Sequence, residues 1–169
     1  MSRQADTDFA QAVVDSLEFA SVAGRLSGPI TIATLGRIAD SLASEAGSLE
    51  CVVQGETDQD GNNFLLLAVA GILQLRCQRC LESMTHALRI DKRLLLVAPG
   101  GAWPDDELEN DELDAIEASK TMTLLPLIEE EVLLALPIAP RHEICAPPVV
   151  MDKDREPLAF AVLAQFRKH

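Results

Sequence analysis

Apolar residues recur along this chain at several different periods, and each period predicts an element. Val13 to Ser27 mixes apolar and polar positions in short alternation around Leu17, Phe19 and Val22, then meets the turn signal Ser27-Gly28-Pro29, which predicts a strand. From Thr31 to Ala43 the spacing becomes helical, with Ile32, Leu35, Ile38, Ala39 and Leu42 on one face, Thr31 or Thr34 as N-cap and Gly47 beyond the end. Leu49 to Gly55 and Phe64 to Leu75 read as strands joined through Asp58-Gln59-Asp60-Gly61-Asn62-Asn63 as a hairpin. Met84 to Val97 returns antiparallel to the second of these, with Cys77 to Cys80 as the turn.

Thr123 to Leu136 predicts the strongest helix, with Leu124, Leu127, Ile128, Leu134 and Ala135 as its stripe and Pro137 as its stop. Glu131 falls on or beside that stripe, as an ionic group at the core edge, while Glu129 and Glu130 are free to face water. Glu156 to Lys168 predicts a short docked helix with Leu158, Val162 and Phe166 at i, i+4 and i+8. The sum is an α+β fold: one antiparallel β-sheet, open or curled toward a barrel, packed with two to three helices in a single domain over residues 1–169.

At 169 residues such a domain can bury a core without disulfide staples. The chain has no apolar run of about 20 residues to span a membrane and no apolar leader at Met1-Ser2-Arg3-Gln4, so the reading is a cytoplasmic protein with no membrane partner. Its four cysteines then favour free thiols over a disulfide framework. The net charge of -13 opposes indiscriminate binding to polyanions. Charge is uneven, however. Asp105 to Glu117 carries eight acids and no base, which predicts a mobile, solvated acidic loop at about 99–120, or a docking surface for a basic protein. Arg76, Arg79, Arg89, Lys92 and Arg93 oppose only Glu82 and Asp91, which makes this the electropositive stretch and the candidate contact with RNA or another partner.

Cys77-Gln78-Arg79-Cys80 is a CxxC whose thiolates can grip one tetrahedral ion, and His142-Glu143-Ile144-Cys145 can complete a Cys3His zinc site. Reduced thiols without metal, and a redox-active CxxC pair, remain alternatives. Cys51, inside an apolar run, reads as a small buried hydrophobe. The chain lacks GxGxxG, GxxxxGK[ST], GxSxG and HExxH motifs, so no enzyme activity and no small-molecule substrate are expected.

Four segments in order, Cys77-Gln78-Arg79-Cys80-Leu81, Ile128-Glu129-Glu130-Glu131-Val132-Leu133-Leu134-Ala135-Leu136-Pro137-Ile138-Ala139-Pro140, His142 with Cys145, and Pro157-Leu158-Ala159-Phe160-Ala161-Val162-Leu163, resemble the bacterial YceD-type large ribosomal RNA subunit accumulation proteins. The resemblance implies a non-enzymatic accessory factor in 23S rRNA accumulation and large-subunit assembly, with 23S rRNA, a large-subunit precursor or a ribosomal protein as partner. The tail departs from the family in having Glu156-Pro157-Leu158-Ala159 where Asn-Pro-Phe-Ala is usual. A zinc- or thiol-dependent redox protein and an acidic protein-interaction module are the competing functions.

Overall fold

The computed structural model describes residues 9–103 and 114–148. Short strand β1 (Val13–Val14) leads into helix α1 (Ser16–Ser21), followed by β2 (Arg25–Thr31), β3 (Leu42–Ser44), β4 (Ser48–Thr57), β5 (Asn63–Arg76), β6 (Ser83–Val97), β7 (Asp114–Glu117), β8 (Met122–Thr123) and helix α2 (Leu124–Ala135). The main sheet runs β2-β4-β5-β6-β7, with β3 pairing β5 beyond the end of β4. It is open rather than closed into a barrel, and every pairing in it is antiparallel except the parallel β6–β7. β1 and β8 form a separate antiparallel pair. No helix among the described residues is long and apolar enough to cross a membrane.

The two hairpins follow the sequence pattern closely. β4 and β5 pair from Leu49↔Gly71 to Thr57↔Asn63, and the Asp58 carboxylate closes their turn by accepting from the Asp60 and Asn62 N–H groups at 2.9 and 2.8 Å. β5 and β6 pair from Phe64↔Leu95 to Arg76↔Ser83, so the cysteine turn lies at the far end of the longest ladder. Period-two alternation puts Leu65, Leu67, Val69, Leu73, Leu75, Leu88, Ile90 and Leu94 on one face, where all are buried. Leu124, Ile128 and Val132 of α2 pack onto that face together with Ile32, Leu35 and Ile38. Burying each of these side chains contributes about 1.5–3 kcal/mol of hydrophobic stabilisation.

The N-terminal third differs from the sequence expectation. Val13 to Ser27 is not one strand: the Asp15 carboxylate caps α1 by accepting from the Glu18 N–H at 3.2 Å, and the chain re-enters the sheet as β2 only after Ala23 turns with φ 49°. α1 sits so close to β4 that Gly55 is required there, because a Cβ at that position would fall 2.3 Å from the Phe19 carbonyl oxygen. The helix expected over Thr31 to Ala43 is two 3-10 turns, Ile32–Thr34 and Gly36–Ser41. Its apolar spacing is met because these tight turns also bury Ile32, Leu35 and Ile38.

Two further differences involve acidic residues. Asp114–Glu117, read as part of the acidic loop, adds a parallel edge strand to β6, while residues 104–113 lie outside the described residues. Glu129 does not face water: it is buried and its carboxylate accepts the Arg37 N–H at 2.7 Å, tying α2 to the start of the second 3-10 turn. Glu130 is exposed and pairs with Arg37, as expected of a surface acid. The helix expected over 156–168 lies outside the described residues.

Candidate metal centre

β5 ends at Arg76 and the chain reverses before Ser83, which forces residues 77–82 into a tight knuckle. The Cys77 N–H donates to the Glu82 carbonyl and the Leu81 N–H to the Cys77 carbonyl, both at 2.9 Å. Leu81 takes φ 65°, a left-handed conformation that non-glycine residues adopt only where the surroundings enforce it. After α2, Pro137 and Pro140 keep the chain extended so that it folds back across the knuckle, and the Gln78 N–H donates to the Pro140 carbonyl at 2.8 Å. That bond sets the register of the strap formed by residues 137–148.

The strap delivers its two ligand candidates to the CxxC. One potential ligand atom from each of Cys77, Cys80, His142 and Cys145 lies within 4.8 Å of all the others. Cys77 Sγ is 3.8 Å from Cys145 Sγ, and Cys80 Sγ is 3.3 Å from His142 Nδ1. A tetrahedral ion with metal–sulphur bonds of about 2.3 Å sets two sulphurs about 3.8 Å apart and a sulphur and an imidazole nitrogen about 3.5 Å apart. The spacing therefore fits one ion in a Cys3His shell.

The surroundings also suit a metal. His142 Nε2 lies 3.2 Å from the Ser83 carbonyl, so Nε2–H donates there and Nδ1 presents its lone pair toward the sulphurs. Burial alone would push the Cys77 thiol up. The N–H groups of Cys80, His142 and Arg79 outweigh it and hold the group down at about 5, making Cys77 a ready thiolate. Burial, followed by contact with the Cys77 and Cys80 sulphurs, pushes Cys145 up. Arg79 Nη1 donates to the Cys145 carbonyl at 3.1 Å, which holds the strap against the knuckle.

A family profile for the large ribosomal RNA subunit accumulation protein YceD matches residues 65–166, well over half of the chain. The chain belongs to this family. No solved structure matches it. The profile for the YceD family spans the knuckle, α2 and the strap, so the four clustered side chains all lie within the matched part of the chain.

The structure separates the five cations of the electropositive stretch. Arg76 and Arg79 stand at the knuckle, where Arg76 is exposed at the end of β5. Arg89 and Arg93 project from the uncovered face of the sheet, where they pair with Asp91 at 3.0 Å and Glu56 at 2.9 Å. Arg93 also stacks 3.5 Å above the Phe64 ring. Lys92 points to the opposite face and pairs with Asp114. These exposed ion pairs are weak individually, yet each places a carboxylate beside its cation. Sequence reasoning passed over Arg141, which is exposed on the strap next to Pro140 and His142, because the strap meets the knuckle only through the fold, at the Gln78 N–H to Pro140 carbonyl bond.

Other sites offer less chemistry. A depression of about 440 Å³ on the uncovered sheet face has Val52, Leu66 and Ala68 in its lining with Arg25 and Arg93, and no histidine or cysteine among its lining residues. Cys51 is buried, and its thiol is pushed up to about 12 by burial and by the Glu50 charge, as an inert core cysteine should be. The CxxC occupies a hairpin turn rather than the start of a helix, so the thioredoxin-like arrangement is not present at this site.

Proposed function

We propose that this chain is a non-enzymatic accessory factor for 23S rRNA accumulation during large-subunit assembly, acting through a zinc-stiffened knuckle. Family membership carries the reading. The knuckle supports it physically: three thiols and one imidazole cluster at the spacing of a Cys3His shell, and a bound zinc ion would fix the hairpin turn and strap as one rigid surface. Arg79 within the knuckle, exposed Arg76 at the end of β5 and exposed Arg141 on the strap supply the contact with rRNA phosphates or a ribosomal precursor. Arg79, held between two ligands with one guanidinium nitrogen already engaged, keeps its remaining donors for a phosphate at reduced entropic cost.

Arg89, Lys92 and Arg93 contribute less in this reading, since each already has a carboxylate partner. The net charge of -13 of the whole chain rejects nonspecific RNA and confines contact to the knuckle. The test is co-sedimentation with large-subunit precursors across a salt series. Arg76→Ala combined with Arg141→Ala should weaken association and flatten its salt dependence by about two phosphate contacts. Unchanged sedimentation of that variant, with its zinc content intact, removes the knuckle cations from the account.

A further inference from the structure

The same four side chains are not equivalent toward oxidation. Cys80 Sγ is directed at His142 Nδ1, and its turn is closed by the Leu81 N–H to Cys77 carbonyl bond. Cys77 Sγ faces Cys145 Sγ at 3.8 Å across two segments that are 68 residues apart in sequence. Closing a disulfide to about 2.05 Å requires the sulphurs to approach by less than about 2 Å. Cys77 is completely buried at the end of the long ladder and can hardly move. Cys145 can move more than Cys77, because its neighbours Glu143, Ile144, Ala146 and Pro147 are all exposed and the Arg79 bond engages its carbonyl, leaving the side chain to turn.

We propose that Cys77 and Cys145, rather than the adjacent CxxC pair, form an oxidative modification site that takes a hydroperoxide as oxidant and closes to a disulfide between hairpin and strap. Its metal-release consequence rests on the zinc reading above; the cross-link itself does not. The half-buried Cys145 sulphur meets the oxidant first. It passes its proton to the Cys77 sulphur 3.8 Å away and attacks the outer peroxide oxygen; the O–O bond breaks, the alkoxide takes a proton from water and leaves as alcohol, and Cys145 becomes a sulfenic acid. The Cys77 sulphur then attacks the Cys145 sulphur, the S–O bond breaks and water leaves with the thiol proton. Two thiols have lost two electrons, and one hydroperoxide has been reduced to alcohol and water.

Oxidation in this pairing removes two of four ligands and leaves Cys80 with His142, a set too small to retain the ion. The strap stays attached, now covalently, while the metal is released. A Cys77–Cys80 disulfide would instead leave the strap untied, so the choice of partner determines whether the oxidised knuckle keeps its shape.

The experiment uses the full chain, both zinc-loaded and stripped by chelator, treated with tert-butyl hydroperoxide, alkylated and mapped by peptide mass spectrometry. A Cys77–Cys145 linked peptide should dominate in both forms, persist in Cys80→Ser, disappear in Cys145→Ser and revert with dithiothreitol. In the loaded form, zinc captured by a chromogenic indicator should rise in step with the disulfide. A dominant Cys77–Cys80 link, or Cys145 driven to sulfinic acid without a disulfide, overturns the proposal. A chain that binds no zinc yet forms the Cys77–Cys145 link overturns the zinc reading alone and leaves the modification site in place.

Discussion

Replacing Cys145 by serine tests whether the strap is held by metal ligation or by packing. A tie that closes a 68-residue loop is worth about 4 kcal/mol when fully covalent, an upper value for a metal clip. Among the described residues the strap's other ties are weak: Pro140 is the only buried residue between 137 and 148, and the Arg79–Cys145 carbonyl and His142–Ser83 carbonyl bonds lie partly in solvent. Losing the tie should therefore open this segment locally and leave the sheet intact. The reporter is the Gln78 amide, which bonds the Pro140 carbonyl at 2.8 Å. In Cys145→Ser its hydrogen-exchange protection should fall by up to about 1,000-fold, while the Leu67 and Val69 amides keep theirs. Zinc affinity, measured against a competing chelator, should drop by more than about 100-fold, since losing a ligand costs more than losing a group that merely orients one. A Gln78 amide as well protected in the variant and in the chelator-stripped protein as in the zinc-loaded parent would show that metal does not hold the strap.

Two further perturbations probe the scaffold. Gly55→Ala drives a methyl group to within 2.3 Å of the Phe19 carbonyl oxygen and 2.6 Å of the Ala20 Cα, so α1 must move off β4. The expected cost is about 2–3 kcal/mol, seen as a Tm lowered by roughly 5 to 10 °C in a calorimetric scan; an unchanged Tm would mean that α1 docks less closely than described. Glu131 is buried with Oε2 lacking a hydrogen-bond partner among the described residues, and burial raises its carboxyl above the usual range despite the opposing Lys92 charge. A raised acid stabilises the fold below its unfolded pKa and loses that contribution as pH rises through the folded value. Glu131→Gln should therefore be more stable than the parent by about 1 kcal/mol at pH 7, with the gain fading as pH falls into the carboxylate range. Urea titrations at both pH values check this, and a variant weaker at pH 7 would mean that the Lys92 attraction outweighs burial.

The two long hairpins and α2 were legible because each obeys a single period over many residues, and because Asp58 to Asn63 supplies unambiguous turn chemistry. The N-terminal third was harder to read. A six-residue helix is too short to establish a period, and α1 depends on the Asp15 cap and on the space left by Gly55, a contact made across the fold. The 3-10 turns satisfy the same apolar spacing as an α-helix, so the pattern cannot distinguish them. Glu129 was misjudged because its partner is the backbone N–H of Arg37, 92 residues away. The four knuckle ligands could be named from chemistry and spacing alone, whereas their meeting depends on a strap whose path is set by prolines and one backbone bond. The separation of the basic stretch follows from strand alternation, which sends Lys92 and Arg93 to opposite faces.

The family likeness begins at residue 65, yet the ladder that pairs Leu49 to Thr57 with Asn63 to Gly71 straddles that boundary. An expression fragment starting there would strip the partner strand from one side of β5 and lay bare Leu65, Leu67 and Val69 along an unpaired edge, a template for aggregation. The recognisable portion of this protein is thus not its foldable unit. The knuckle needs the N-terminal strands as a chaperoning flank.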